Sequence, residues 1–473
     1  MVSEPLPATS PTEAGVDAAG VLAMLDAWDA HPDIEMHSLM VLRHGHVVAE
    51  GWWAPYRPDG LHLLYSLSKS FTSTAVGLAV AEGLLTVDDL VVSFFGDLVP
   101  AEANAHLLNM RVRDLLSMSS GHRQDTLERL DRSNLVGSFL AQPPEEEPGT
   151  WFTYNQGDTL TLSAIVTLLT GERLLDYLRP RLLEPLGIEE ANWQGVGELD
   201  LGFTGLHLTT ESVAKLGQLY LQRGRWQGRQ LLEEEWVAEA TRPQVDNPRE
   251  PNPDWREGYG YQFWMGRHGY RGDGAFGQFC LVLPEHDLVV VTTAATEDMQ
   301  AVLDRVYAEL LPGVSDPVSV SETAEASERL LARLAQLTLT PVTSGTGPSQ
   351  VSLPWSTPAA AADTAIRVTA LEQEGDGWRV TLSDHGSDYT VDCGSGTWLV
   401  SEPQIDAGVR LRVAASGGWR DATTFSAEVA LVETPHRVLL SCDCSTGVTT
   451  AGWNVAPLGI ATARELALDL TRF

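Results

Sequence analysis

Short apolar, β-branched runs flank turn residues near both ends of the first two-thirds of the chain, and a helical period of apolar positions runs between them. HSLMVLRHGHVVAEGWW (37–53) predicts two strands around a turn at His44-Gly45, and FGQFCLVLPEHDLVVVTTA (276–294) predicts a hairpin around Pro284-Glu285-His286-Asp287. Between them, SKSFTSTAVGLAVAEGLL (68–85) is small and apolar at helical spacing, with Gly83 near its end. MRVRDLLSMSSG (110–121) predicts a short helix closing on Gly121, and Thr159 to Leu183 and Thr210 to Gln222 continue the helical pattern. AVLDRVYAELL (301–311) predicts an amphipathic helix that closes this part of the chain. Strands at both ends with helices between them predict an α/β (α+β) domain over residues 1–312: an antiparallel sheet, a helical subdomain and a site at their junction.

The pattern then changes. Residues 313–344 predict a linker with a bridging helix at SERLLARLAQL (327–337), and TPVTSGTGPSQVSLP (340–354) is a further loop-like stretch. From 345 to 473, segments such as AIRVTALEQEGDGWRVTLSD and VRLRVAASGGW are short alternating strands broken by Gly and Asp. They predict a C-terminal antiparallel all-β domain, a barrel or sandwich.

Composition narrows the functional classes. A chain of 473 residues is long enough for two domains, and 43% hydrophobic with 20% charged residues is the balance of a soluble globular protein. A formal net charge of −33 opposes a nucleic-acid partner or an anionic membrane surface. MVSEPLPATSPTEAGV lacks the basic start and apolar run of a signal peptide, and no apolar stretch approaches a membrane span. The expectation is a cytoplasmic protein. Cys280, Cys393, Cys442 and Cys444 have no zinc-ligand spacing, and the histidines are scattered with no HExxH, so neither a metal nor a cofactor is expected.

Of the 31 basic residues only Lys69 and Lys215 are lysines. Arginine cannot lose its proton in a protein whereas a desolvated lysine can, so a retained lysine raises a chemical question. Ser66-Leu67-Ser68-Lys69 fits S-x-x-K, which places hydroxyl and amine on one helix face. Serine needs a positioned base, and lysine serves only if its pKa falls from about 10.4 towards 7, a cost of about 4 kcal/mol. Ser212-Val213-Ala214-Lys215 fits the same motif, but Lys215 falls off the apolar stripe of its helix and reads as a solvated lysine.

YSLSKSFTSTAVGLAVAEGLLTVDD (65–89) resembles the nucleophile segment of the serine β-lactamase-like and penicillin-binding-protein superfamily. It is most similar to the class C β-lactamase-related esterases and the 6-aminohexanoate-oligomer hydrolases. MRVRDLLSMSSG, PGTWFTYNQGDTLTLSAIV (148–166), GLHLTTESVAKLGQLYLQRGRWQGRQLL (205–232) and FGQFCLVLPEHDLVVV agree in order, so the resemblance spans roughly residues 10–312. It implies a β-lactamase/transpeptidase-like fold with Ser66 as acylated nucleophile, Lys69 as general base and Tyr154 as proton partner. A phenol beside an ammonium is expected to have a lowered pKa. Some relatives carry a C-terminal barrel resembling a lipocalin.

The family's Tyr-x-Asn reads Tyr154-Asn155-Gln156, with an amide one methylene longer at the third position; Gln156 can still bond Lys69 or a substrate carbonyl. With lysine only at 69 and 215, a Lys-Thr-Gly third motif is impossible, and the nearest stretch is HGYRGDGAFGQ (268–278). Its Gly274, Phe276 and Gly277 are candidates for the oxyanion strand. Arg271 is either a surface arginine or a replacement cation for an acidic substrate group. Trp52, Trp53 and Trp151 are candidates for an acyl pocket or for core packing.

The implied activity is hydrolysis of a small ester, amide or short peptide, with true β-lactamase action disfavoured by the missing motif. Acyl transfer or peptide cyclisation through the same acyl-enzyme is the main alternative, and a non-catalytic β-lactam sensor another. A G-x-S-x-G elbow and a Ser-Asp-Asn are absent, against an α/β-hydrolase and a class A β-lactamase. A homodimer is left open.

Overall fold

The computed structural model describes residues 5–315, 324–343, 345–348, 350–351, 366–405, 409–459 and 462–469. In chain order come α1 (Ala18–Asp29), the hairpin β1 (Glu35–Arg43) and β2 (His46–Trp52), and β3 (His62–Leu63). A tight turn, Tyr65–Leu67, leads into α2 (Ser68–Ala81), followed by α3 (Val112–Leu116) and α4 (Gln156–Thr170). β4 (Asn192–Trp193) and β5 (Leu206–Leu208) precede α5 (Thr210–Leu221). Then come β6 (Trp264–Gly266), β7 (Gly269–Gly274), β8 (Gln278–Leu283), β9 (Leu288–Ala295), α6 (Met299–Arg305) and α7 (Ala324–Leu334).

The main sheet is antiparallel, in the order β6-β7-β8-β9-β1-β2. The first and last strands of this region pair directly, Val41 opposite Val290, so the two predicted hairpins form one sheet centre. Both faces are covered, which explains why β1 and β9 read as nearly continuous apolar runs. Alternation divides them: Leu39, Val41, Leu281 and Val290 pack under α1 and α6, while Met40, Leu42, Val282 and Val289 face α2 and α5. α5 lies so close to the sheet that a Cβ on Gly217 would stand 2.7 Å from Val289. α2 is buried from Ser68 to Ala79, hence its small side chains; a Cβ on Gly77 would strike the Trp236 ring at 2.5 Å.

Elsewhere the helices are shorter than the pattern predicts. The 110–121 stretch is helical only over Val112–Leu116, and Gly121 (φ 92°) belongs to a turn instead. The 159–183 stretch breaks at Gly171, whose left-handed φ of 71° caps α4.

The C-terminal strands build two larger antiparallel sheets, beside a short antiparallel pairing of Val409–Arg410 with Leu468–Asp469. β10 (Gln350–Val351), β11 (Arg367–Glu374), β12 (Gly377–Asp384) and β13 (Ser387–Cys393) form one. β14 (Leu399–Ser401), β15 (Val413–Trp419), β16 (Thr424–Leu431), β17 (Arg437–Asp443) and β18 (Val448–Trp453) form the other. Trp378, Val391, Phe425 and Val438 fill the space between them, and no closed barrel exists among the described residues. No helix among the described residues is long and apolar enough to cross a membrane.

The hydrophobic cluster of these strands also takes in Leu63, Tyr65, Phe276 and Ala295 of the larger sheet region. Leu63 N donates to Glu433 O at 2.8 Å and the Tyr56 hydroxyl to Thr434 O at 3.2 Å. The loop after β16 therefore grips the chain just before Ser66.

Candidate active site

Ser66 stands in the tight turn that opens α2, half-buried at the edge of β7. Two glycines of β7 let the strand approach. A Cβ on Gly272 would lie 2.9 Å from Ser70 Oγ, and one on Gly274 would collide with Leu64 O at 2.0 Å. Gln262 secures the junction: its carbonyl accepts from Ser70 Oγ at 2.9 Å, its side-chain oxygen accepts from Thr159 on α4, and its amide donates to Leu115 O and Leu116 O.

Lys69, one turn along and 1% exposed, points its ammonium into this junction. It donates to Ser66 Oγ at 3.1 Å, Gln156 Oε1 at 2.6 Å and Phe203 O at 2.9 Å. Those three acceptors use all three ammonium protons. Burial pushes its pKa down to about 7, against the attraction of Asp125 and Asp273. A near-neutral lysine touching a serine hydroxyl can take its proton.

Tyr154 supplies a third side of the site. Its ring centroid is 4.7 Å from Lys69 Nζ and it stacks on Trp264 at 5.3 Å. The sequence expectation of a lowered phenol pKa is corrected here: burial raises it, and hydrogen bonding to Ser66 and Trp264 only partly opposes. Tyr154 is therefore a neutral phenol, a donor rather than a phenolate base. Phe152, Tyr259, Trp264 and Met118 complete an aromatic wall around it.

The structure thus brings Ser66, Lys69, Tyr154 and Gln156 together, and separates others from them. Asn155 is turned away as the N-cap of α4. Its Oδ1 accepts from Thr126 N and Oγ1 and from Gly157 N, and its Nδ2 donates to Asp158 at 2.8 Å, which leaves it no free face for a substrate. Arg271 is neither a surface residue nor a free cation. It is fully buried, its Nε donates to Asp273 Oδ2 at 2.9 Å and its Nη1 to Asp254 O at 3.0 Å, and Trp255 covers its guanidinium at 4.3 Å. Phe276 and Gly277, both at positive φ, form the turn after β7 beyond Gly274.

The second S-x-x-K does not form a site. Ser212 Oγ bonds Thr209 Oγ1 at 2.8 Å in the cap of α5. Lys215, expected in solvent, is 3% exposed and pairs with Glu211 at 3.2 Å, because Leu6 and Gly187 cover that side of the helix.

Trp53 lies with α1, donating to Asp29 at 3.3 Å, and Trp151 sits under Arg249 and Arg123. A cleft of about 1010 Å³ between Trp53, Glu35 and Arg437 contains none of the residues around Ser66. Sequence reasoning missed Phe203, Asp125, Trp264 and Asp273. The first acts through a carbonyl that no side chain betrays, and the others lie far from the motif in sequence. Among the described residues, no group of three or more His, Cys, Asp or Glu side chains is arranged to hold a metal ion.

A family model described as Beta-lactamase matches residues 29–311. The 6-aminohexanoate-dimer hydrolase of Paenarthrobacter ureafaciens is 26% identical over 301 residues, which cover 56% of this chain and 76% of that protein. Among solved structures, EstCE1, a hydrolase with promiscuous acyltransferase activity, superposes with a TM-score of 0.50 at 17% identity, covering 61% of this chain and 98% of that one. That likeness concerns the fold.

Proposed function

The chain belongs to the beta-lactamase family, a serine hydrolase by kinship, and we propose that it cleaves a small neutral ester or amide through an acyl-enzyme on Ser66. What carries the reading is the contact between a buried lysine with a pKa of about 7 and the Ser66 hydroxyl at 3.1 Å.

In this mechanism the neutral Lys69 amine takes the Ser66 proton as Oγ attacks the substrate carbonyl. The resulting oxyanion is held by the Ser66 N–H and by an N–H from the end of β7 or the turn after it, where Gly274, Phe276 and Gly277 lie. Such a donor is worth about 3 kcal/mol in the transition state. Tyr154 donates a proton to the leaving alcohol or amine as the carbonyl re-forms, and is reprotonated from the Lys69 ammonium. Water then attacks the ester as the neutral Lys69 amine takes its proton, and the Lys69 ammonium returns a proton to Ser66 Oγ, releasing the acid and Ser66. Gln156 holds Lys69 in line throughout.

The substrate class follows from what surrounds these groups. The wall of Tyr154, Trp264 and Phe152 suits an apolar acyl chain, and Arg271 is locked away from any carboxylate. The relative from P. ureafaciens is named for a 6-aminohexanoate dimer, which makes amides a class to test beside esters. The test is a set of 4-nitrophenyl esters, anilides and penicillins, read by turnover and by intact mass. Ester or anilide turnover that vanishes in Ser66→Ala and survives in Ser212→Ala is expected; full activity in Ser66→Ala refutes the mechanism. Products joined to an added amine, rather than free acids, would redirect it to acyl transfer.

A further inference from the structure

Among the non-glycine residues beside the site with left-handed backbone are Tyr65 (φ 47°), immediately before Ser66, and Phe276 (φ 69°), in the turn after β7. Such conformations cost energy and persist only where the surroundings over-determine them. Their rings meet edge to face at 5.4 Å, and both meet the imidazole of His436 edge-on, at 5.8 Å and 5.4 Å.

His436 belongs to the C-terminal β region, just before β17, and is fully buried. Its Nδ1 lies 2.9 Å from Val455 O, and a carbonyl can only accept, so Nδ1 carries the proton. Nε2 then presents a lone pair, and the Tyr65 hydroxyl donates to it at 2.5 Å. The same loop takes the Leu63 N–H and the Tyr56 hydroxyl on its carbonyls. A residue far along the chain thus bonds the neighbour of Ser66 and packs on the turn that follows β7.

We propose that His436 is a positioning residue for the Ser66 site, fixing the turn that carries the nucleophile and the turn after β7 in register through Tyr65 and Phe276. This rests on the reading of Ser66 as the nucleophile. The C-terminal β region is then a brace for the site, and its effect is on the transition state, where both turns must converge on one carbonyl. A misplacement of about 1 Å in such an arrangement costs on the order of a hundredfold in rate.

The test compares wild type with Tyr65→Phe, His436→Ala and His436→Gln in the full chain, using 4-nitrophenyl ester turnover and amide hydrogen exchange. Glutamine keeps an acceptor for Tyr65 and a donor for Val455. Tyr65→Phe and His436→Ala are expected to lower kcat by about tenfold or more with KM within about twofold, His436→Gln recovering most of it. Exchange is expected to quicken at both 62–67 and 272–278 in His436→Ala. Folded Tyr65→Phe and His436→Ala proteins with wild-type kcat overturn the proposal, as does unchanged exchange at the two segments. Ser66→Ala runs alongside: if it too keeps activity, the nucleophile assignment has failed, and the exchange result alone decides whether His436 braces these turns.

Discussion

The Lys69 ammonium sits nearer to Gln156 Oε1, at 2.6 Å, than to the Ser66 hydroxyl, at 3.1 Å. The amide that departs from the family's Tyr-x-Asn pattern thus makes the short contact to Lys69, its extra methylene spanning from the first turn of α4 to α2.

Replacing that amide with a carboxylate changes charge at almost constant shape. In Gln156→Glu the anion beside Lys69 favours its protonated form, so the alkaline-active limb of kcat/KM moves up by about one pH unit or more. A pH–rate profile reads this directly. An unmoved limb would mean that Lys69 is not the titrating base.

The wild-type profile follows from the same lysine. With Lys69 as the proposed base, activity is expected to rise with pH through about 7, where burial sets its pKa and the amine form becomes available. The sign for stability is fixed too. The folded pKa lies below the unfolded value of about 10.5, so between about 7 and 10.5 the unfolded chain binds more protons and this group adds stability as pH rises. Lys69→Met is therefore expected to raise the urea midpoint more at about pH 6 than at about pH 9. Equal gains at both values would contradict the burial assignment.

Lys215 is expected to matter for stability alone. Removing it in Lys215→Ala leaves Glu211 beside an empty, covered site, at a cost of about 1–3 kcal/mol, below the range of about 3–5 kcal/mol for fully buried pairs because Glu211 is partly exposed. Thermal unfolding checks the loss, and ester turnover at a temperature where the variant is folded should match wild type.

Carboxylated substrates should be poor. Arg271 is committed to Asp273 and to two backbone carbonyls, so it offers no anchor for a penicillin carboxylate, and Asp273 places an acidic group in that region. Benzylpenicillin is expected to turn over at least about 100-fold less efficiently than a neutral ester of similar size. Comparable kcat/KM values for the two would show that another cation receives the carboxylate.

Much of the fold was legible because it rests on local periodicity. The hairpins over 37–53 and 276–294 appear as apolar, β-branched runs around turn residues, and α2 and α5 as repeats of small or apolar residues. The boundaries were less legible. Capping at Gly171 and the short span of Val112–Leu116 depend on what packs against them.

For the site, the sequence by itself placed Ser66 and Lys69 on one side of a helical turn, within reach of each other, although the same spacing leaves Ser212 bonded to Thr209 and Lys215 to Glu211. It could not say whether a lysine is dry. Lys69 and Lys215 are both buried, yet one meets a serine, an amide and a carbonyl, and the other a glutamate. Only the tertiary structure decided that Asn155 caps α4 while Gln156 faces Lys69, that Arg271 is spent on Asp273, and that His436 reaches Tyr65. The physical reason is common to all of these. Burial, proton affinity and hydrogen-bond partnership are set by segments distant in sequence, and periodicity records which way a residue faces but not what it meets there.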